Sequence, residues 1–192
     1  ALKKVIIEDG STTLSLGYNY YYSNGTGEGL FYDCPLEKVY LGRNLSYNSG
    51  KSYGYSPFYF TYFTQVLTKV TIGNEVTEIG QYAFYNCQSL ESINIPYGVT
   101  EIKEEAFYNC DSLVSVTVPE SVTTIGNYAF YSCNGLKEIT IPSSVTNMGY
   151  SVLRDCSSLE SFTIPTGITN IPDYTFYGCT ALKSIEIPDN II

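Results

Sequence analysis

The chain has 192 residues, of which 44% are hydrophobic, and its ten basic and nineteen acidic side chains give a net charge of −9. That balance argues against nucleic acid or an anionic membrane as a partner, and no apolar run approaches the ~18 residues that a membrane span needs. Histidine is absent, which excludes a Ser-His-Asp or Cys-His nucleophile and any His-ligated metal, so no enzymatic activity and no cofactor are expected.

The first element read along the chain is Leu2-Lys3-Lys4-Val5-Ile6-Ile7, a strand pattern. With no initiator Met and no signal peptide at Ala1, the chain is expected to be a mature or trimmed fragment. An insertion over 10–30 follows, carrying Tyr18, Tyr20, Tyr21 and Tyr22 among Gly, Ser, Thr and Asn. Within it Leu14-Ser15-Leu16 alternates like an extra strand. Leu36 to Leu41, preceded by Phe31 and Cys34, gives the next strand, with Lys38 and Tyr40 facing outward. A second insertion over 43–60 carries Tyr47, Tyr53, Tyr55 and Tyr59, and Leu67 to Ile72, with Lys69 outward, gives a third strand. Asn24-Gly25-Thr26 and Asn44-Leu45-Ser46 fit a glycosylation acceptor pattern.

From Val76 the sequence becomes periodic. Cys87, Cys110, Cys133, Cys156 and Cys179 are 23 residues apart, and five units over 76–190 repeat almost every neighbour, as in VTEIGQYAFYNCQSLESINIPYG. A fixed period of this length is the mark of a solenoid. In the unit 99–121, Leu113, Val116 and Val118 point inward from a short strand that Pro119 ends, and Ser115 and Thr117 face out. Val99, Ile102, Ala106, Phe107 and Cys110 complete the core, the last three on an expected helical turn. Pro172, Asp173 and the pair Glu104–Glu105 then suit a helix N-terminus. The paired carboxylates Glu104–Glu105 and Glu8–Asp9 read as solvated turns. Glycines at 80, 126 and 149 share their position with Pro172, so no left-handed backbone is demanded there. Counting the three early strands, eight strands at about 4.8 Å each make a sheet roughly 35–40 Å long. The cysteines read as buried thiols rather than disulfides or metal ligands.

The motif VTxIGxxAFxxCxxLxxIxIP, nearly intact in five units and partial in three, resembles the BspA-like leucine-rich repeats. The resemblance implies one leucine-rich-repeat domain over 1–192. Its right-handed coils would carry a parallel β-sheet on the concave side and short helical or 3-10 turns on the convex side, with irregular coils or a cap over 1–69. It also implies a secreted or surface-displayed module that binds proteins and mediates adhesion, its partner a host or neighbouring-cell surface protein, a matrix component or a glycan. A rigid spacer of a larger surface protein and a carbohydrate-binding module are the alternatives.

The outward strand positions of the regular units are mostly Ser and Thr, which rarely anchor a partner. Residues 1–69 instead carry six basic against five acidic residues, whereas 70–192 carry four against fourteen. The Tyr, Ser, Gly and Asn of the insertions are also the composition of antibody loops. The candidate ligand-binding set is therefore Tyr18, Tyr20, Tyr21, Tyr22, Tyr40, Tyr47, Tyr53, Tyr55, Tyr59, Lys38 and Lys69. The other reading of these tyrosines is a cap over the open end of the core.

Overall fold

The structure, a computed structural model, describes residues 2–16, 20–21, 27–28, 31, 34–47 and 67–192, with the backbone alone for 16, 20–21, 27–28 and 46–47. It is a stack of coils with three walls. On the first wall the strands Lys4–Ile7, Lys38–Leu41, Lys69–Ile72 and Ser92–Asn94 form a parallel sheet. Ser115–Thr117 pairs with Glu138–Thr140, and Phe162–Thr163 with Ile185–Glu186, in the same parallel sense. Strands are parallel because each coil returns the chain to the same wall in the same direction. The early strands occupy the expected positions, in the register Val5↔Val39↔Val70↔Ile93.

The second wall is a ladder of two-residue strands, Glu78–Ile79, Glu101–Ile102, Thr124–Ile125 and Asn147–Met148. Leu14–Leu16 forms the extra strand read from its alternation and pairs in parallel with Leu45–Tyr47. Asn44 links this pair to the ladder. Its Nδ2 donates to Thr77 Oγ1 at 2.7 Å, and its Oδ1 accepts from Thr77 N at 2.9 Å. The amide that a glycan would occupy is thus already committed to a structural bond. Asn24 lies outside the described residues.

The third wall differs from the helical turns expected there. Among the described residues it forms no helix; it is built of consecutive turns that bond alternately inward and onward. Ala83, Tyr85 and Cys87 donate to Gly80, Tyr82 and Phe84 of their own coil. Tyr82, Phe84 and Asn86 donate instead to Glu104, Ala106 and Tyr108 of the next coil. A helix would spend all these amides within one coil and leave its neighbour unbonded. Turning alternate amides outward requires left-handed backbone at two positions per coil. These are Tyr82, Glu105, Tyr128, Ser151 and Tyr174, and Asn86, Asn109, Ser132, Asp155 and Gly178, with φ of 53–77°. The inward assignments stand nonetheless, since Ala106, Phe107 and Cys110 are all fully buried.

The core between the walls repeats like the sequence. Leu67, Leu90, Leu113, Leu136 and Leu159 are at most 1% exposed. The Phe84, Phe107 and Phe130 rings stack with centroids 5.3 and 5.1 Å apart. Glycines at 126 and 149 owe their place to close approach rather than to φ. A Cβ on Gly126 would come within 2.5 Å of Glu104 N, and one on Gly149 within 2.5 Å of Asn127 N. Cys87, Cys110, Cys133, Cys156 and Cys179 are buried and Cys34 is half-buried; all six are free.

Candidate functional site

The parallel register of the first wall brings side chains far apart in sequence into rows on its outer face. Lys4, Lys38 and Lys69 are successive Cα partners, as are Ile6, Tyr40 and Thr71 one step along. Neighbouring strands lie ~4.8 Å apart, so three exposed ammonium groups share one edge of the sheet. Together with Val39 these six residues line a shallow pocket of about 400 Å³. Ile6 presents 57% of its surface to solvent within it.

The charge of this row is not cancelled from within. The neighbouring carboxylate, Glu37, is engaged by Lys3. That hydrogen bond and the Lys3 charge hold the Glu37 carboxyl below its ordinary value, with Lys38 adding to the effect. Among the described residues none of Lys4, Lys38 and Lys69 forms an ion pair. Like charges on adjacent strands repel one another, a cost that an anionic ligand would remove.

Tyr40 is fixed at the boundary of the row. Its hydroxyl donates to Asp9 Oδ1 at 2.6 Å, which raises the phenol above its usual range. The Glu8–Asp9 segment is clamped in turn by Arg43, whose Nε and Nη2 donate to the carbonyls of Glu8 and Asp9, each at 2.8 Å. Gly73 permits the crossing, since a Cβ there would lie 2.6 Å from Asp9 Oδ1 and 2.9 Å from Tyr40 Oη. Beyond Tyr40 lies a second, acidic hollow of about 380 Å³ that includes Asp9, Asn74 and Glu75. Glu8–Asp9 is therefore exposed to solvent, as expected, but fastened in place by Tyr40 and Arg43.

Of the candidate residues, Lys38, Tyr40 and Lys69 come together on this face. Tyr20 and Tyr21 form a short strand antiparallel to Gly27–Glu28, and Tyr47 pairs with Leu16. Tyr18, Tyr22, Tyr53, Tyr55 and Tyr59 lie outside the described residues. The described starts of the two insertions lie side by side, Leu14–Leu16 pairing with Leu45–Tyr47. Leu14, Phe31 and Leu45 pack against the core, which is what a cap does. Lys4, Ile6 and Asp9 belong to the site although composition did not single them out. Aligning the three early strands at Val5, Val39 and Val70 reveals the first two, while Asp9 has no sequence signal. The outward Ser92, Ser115, Thr117 and Thr140 of the regular coils are exposed and offer no anchor.

Residues 55–183 match the BspA type leucine rich repeat region in six copies. Among solved structures, the chain is similar to a leucine-rich repeat protein of T. pallidum. The two are 29% identical with a TM-score of 0.67, over 90% of this chain and 73% of that one. It is also similar to a leucine-rich repeat protein of Bacteroides ovatus, at 25% identity and a TM-score of 0.55, over 93% of this chain and 46% of that one. No curated protein matches. Among the described residues no helix is long and apolar enough to cross a membrane.

Proposed function

We propose that this chain, which belongs to the BspA type leucine-rich-repeat family, is a surface-displayed or secreted binding module whose sheet face takes an acidic segment of a partner protein. The observation that carries the reading is the in-register row Lys4, Lys38 and Lys69, unpaired among the described residues, in a chain whose net charge is −9. Ile6 and Tyr40 add apolar and aromatic contact beside the charges. A carboxylate-rich segment laid across the strands would replace lysine–lysine repulsion with charge-assisted hydrogen bonds. The acidic remainder of the molecule would repel the same segment elsewhere and so confine it to this face. The partner class is a host or neighbouring-cell surface protein or a matrix component.

The test is a binding screen of the intact chain against matrix proteins and glycans, repeated with a Lys4→Gln, Lys38→Gln, Lys69→Gln triple variant. The expected partner is acidic, loses most of its affinity to the triple variant, and weakens as salt rises from about 50 to 200 mM. Equal binding by parent and variant, or a neutral glycan retained by the variant, overturns the reading.

A further inference from the structure

The aromatic surface of the turn wall is already used by the chain itself. In the column Tyr85, Tyr108, Tyr131, Arg154 and Tyr177 the first three rings stack at 4.6 Å, and the Arg154 guanidinium carbon lies 4.7 Å from the Tyr177 ring centre. The outer face of the first wall is different, because it carries two rows of unlike chemistry side by side. Lys4, Lys38 and Lys69 form one row, and Ile6, Tyr40 and Thr71 the other, in the same register. Residues two apart on a strand are about 6.6 Å from each other, and neighbouring strands about 4.8 Å. Both rows therefore run along the axis of the stack, about 6.6 Å apart, advancing about 4.8 Å per coil. In the second row Ile6 is more than half exposed, and Tyr40 is held by its bond to Asp9. The next members of the rows, Ser92 and Asn94, are exposed and short, so neither row is blocked by its own continuation.

Two parallel rows constrain the shape of what can lie on them. An extended strand along the axis points alternate side chains at the face in one file, so it meets the lysines or the apolar row but not both. Turned to run with the sheet strands, it crosses both rows but lies over only one coil and one lysine. An α-helix presents a broad stripe on a body about 10 Å across, and that stripe holds two adjacent files. Positions i, i+4 and i+7 form one, advancing about 10.5 Å against about 9.6 Å from the Lys4 strand to the Lys69 strand. Positions i+1 and i+8 form the second, roughly 80–100° round the helix. Carboxylates in the first file each come opposite one ammonium, while apolar residues in the second cover Ile6 and Tyr40.

We infer that this face takes an α-helix of a partner protein, laid along the axis of the stack, with a file of carboxylates over the lysine row and a file of apolar side chains over Ile6 and Tyr40. This form of the segment rests on the acidic-partner reading above and can fail while that reading stands. Exposed ion pairs alone contribute little to affinity. Removing the Ile6 side chain from water supplies what they lack, and only an element that addresses both rows does this while meeting all three lysines.

Two fluorescein-labelled, alanine-based peptides of identical composition are the probes, titrated into the intact chain by anisotropy. One carries Glu at i, i+4 and i+7 and Leu at i+1 and i+8. The other is permuted to put Glu at i, i+2 and i+4, so that its carboxylates line up on an extended chain and scatter round a helix. The first should bind about tenfold more tightly, a gain matching the burial of one aliphatic side chain. It should also gain ellipticity at 222 nm on binding, a signal to which the described residues of the chain, having no helix, contribute little. Ile6→Thr should weaken the first peptide about tenfold and leave the second unchanged, with thermal unfolding showing that the variant folds; the comparison of the two peptides on the parent chain needs no variant. Equal binding of the two peptides, tighter binding of the permuted one, or undiminished affinity of the first for a folded Ile6→Thr chain overturns the helix and leaves the acidic reading intact. Binding of neither peptide also overturns the helix, and the acidic reading then stands or falls by its own screen.

Discussion

The thiol of Cys110 donates to the backbone carbonyl of Phe84, 3.2 Å away in the preceding coil, and the same carbonyl accepts the amide of Cys87. The bond recurs from Cys133 to Phe107, Cys156 to Phe130 and Cys179 to Leu153, each at 3.1 Å. Each thiol is therefore a link between coils. Burial pushes the Cys87 thiol up to about 12 and Cys179 to about 11, and raises Cys110 and Cys156 well above the ordinary value. At neutral pH the nucleophilic thiolate is essentially absent from them. A thiol-reactive dye should find six free sulfhydryls after denaturation, while in the native protein the half-buried Cys34 reacts first. Bonded cysteines in the denatured count would contradict the assignment.

Leu113 is fully buried at mid-stack, and Thr117 stands exposed on the strand that follows it. Leu113→Ala should cost about 2–5 kcal/mol, combining lost burial with the cavity left behind. Thr117→Ala should change stability by no more than about 0.5 kcal/mol. Urea denaturation of the two variants tests the inside and outside of the sheet directly; equal losses would refute it.

Arg154 replaces a stacking tyrosine with a cation held by three rings. Its removal in Arg154→Ala should destabilise by about 1–2 kcal/mol, at ~0.5–1 kcal/mol per exposed cation–π contact and with some loss of packing. Arg154→Tyr restores the uninterrupted column and should recover part of the loss. If alanine leaves the unfolding midpoint unchanged, the guanidinium is only a surface group.

Glu105 should make stability fall with rising pH. Its burial, aided by the charge of Glu104, raises the carboxyl from 4.5 to about 7. The folded state therefore holds the proton more tightly than the unfolded chain. The stabilisation is complete below about 4.5 and is lost as pH climbs through about 7. A Glu105→Gln variant should match the parent near pH 5 and exceed it near pH 8 in denaturant unfolding. A parent that equals the variant at both pH values would place the carboxylate in open solvent. A helix N-terminus, the environment that the sequence suggested for Glu104–Glu105, would have lowered the carboxyl instead.

Much of the architecture was legible because a 23-residue period repeats one solution to one packing problem. Leu113, Val116, Val118, Ile102 and Phe107 could each be assigned inward from strand alternation and recurrence, and all are buried. The second left-handed column was half visible, since Asn86, Asn109, Ser132, Asp155 and Gly178 include the residue types that tolerate positive φ. The first was hidden, because Tyr82, Tyr128 and Tyr174 carry no such preference. Local spacing of Ala106 and Cys110 favoured a helical turn, and only the neighbouring coil, by claiming alternate amides, turned that wall into something else.

The sequence by itself determined the repeat, the identity of the core and the thiol character of its cysteines, because all three depend on residue type at a fixed interval. It also placed lysines on three early strands. Aligning those strands on Val5, Val39 and Val70 puts Lys4, Lys38 and Lys69 in one outward column, and the parallel register bears this out. Only the tertiary structure decided that Asp9 fastens Tyr40 and that Glu105 lines a hollow walled by tyrosines. Those relationships arise between coils, where side chains meet through stacking, and no single repeat encodes them.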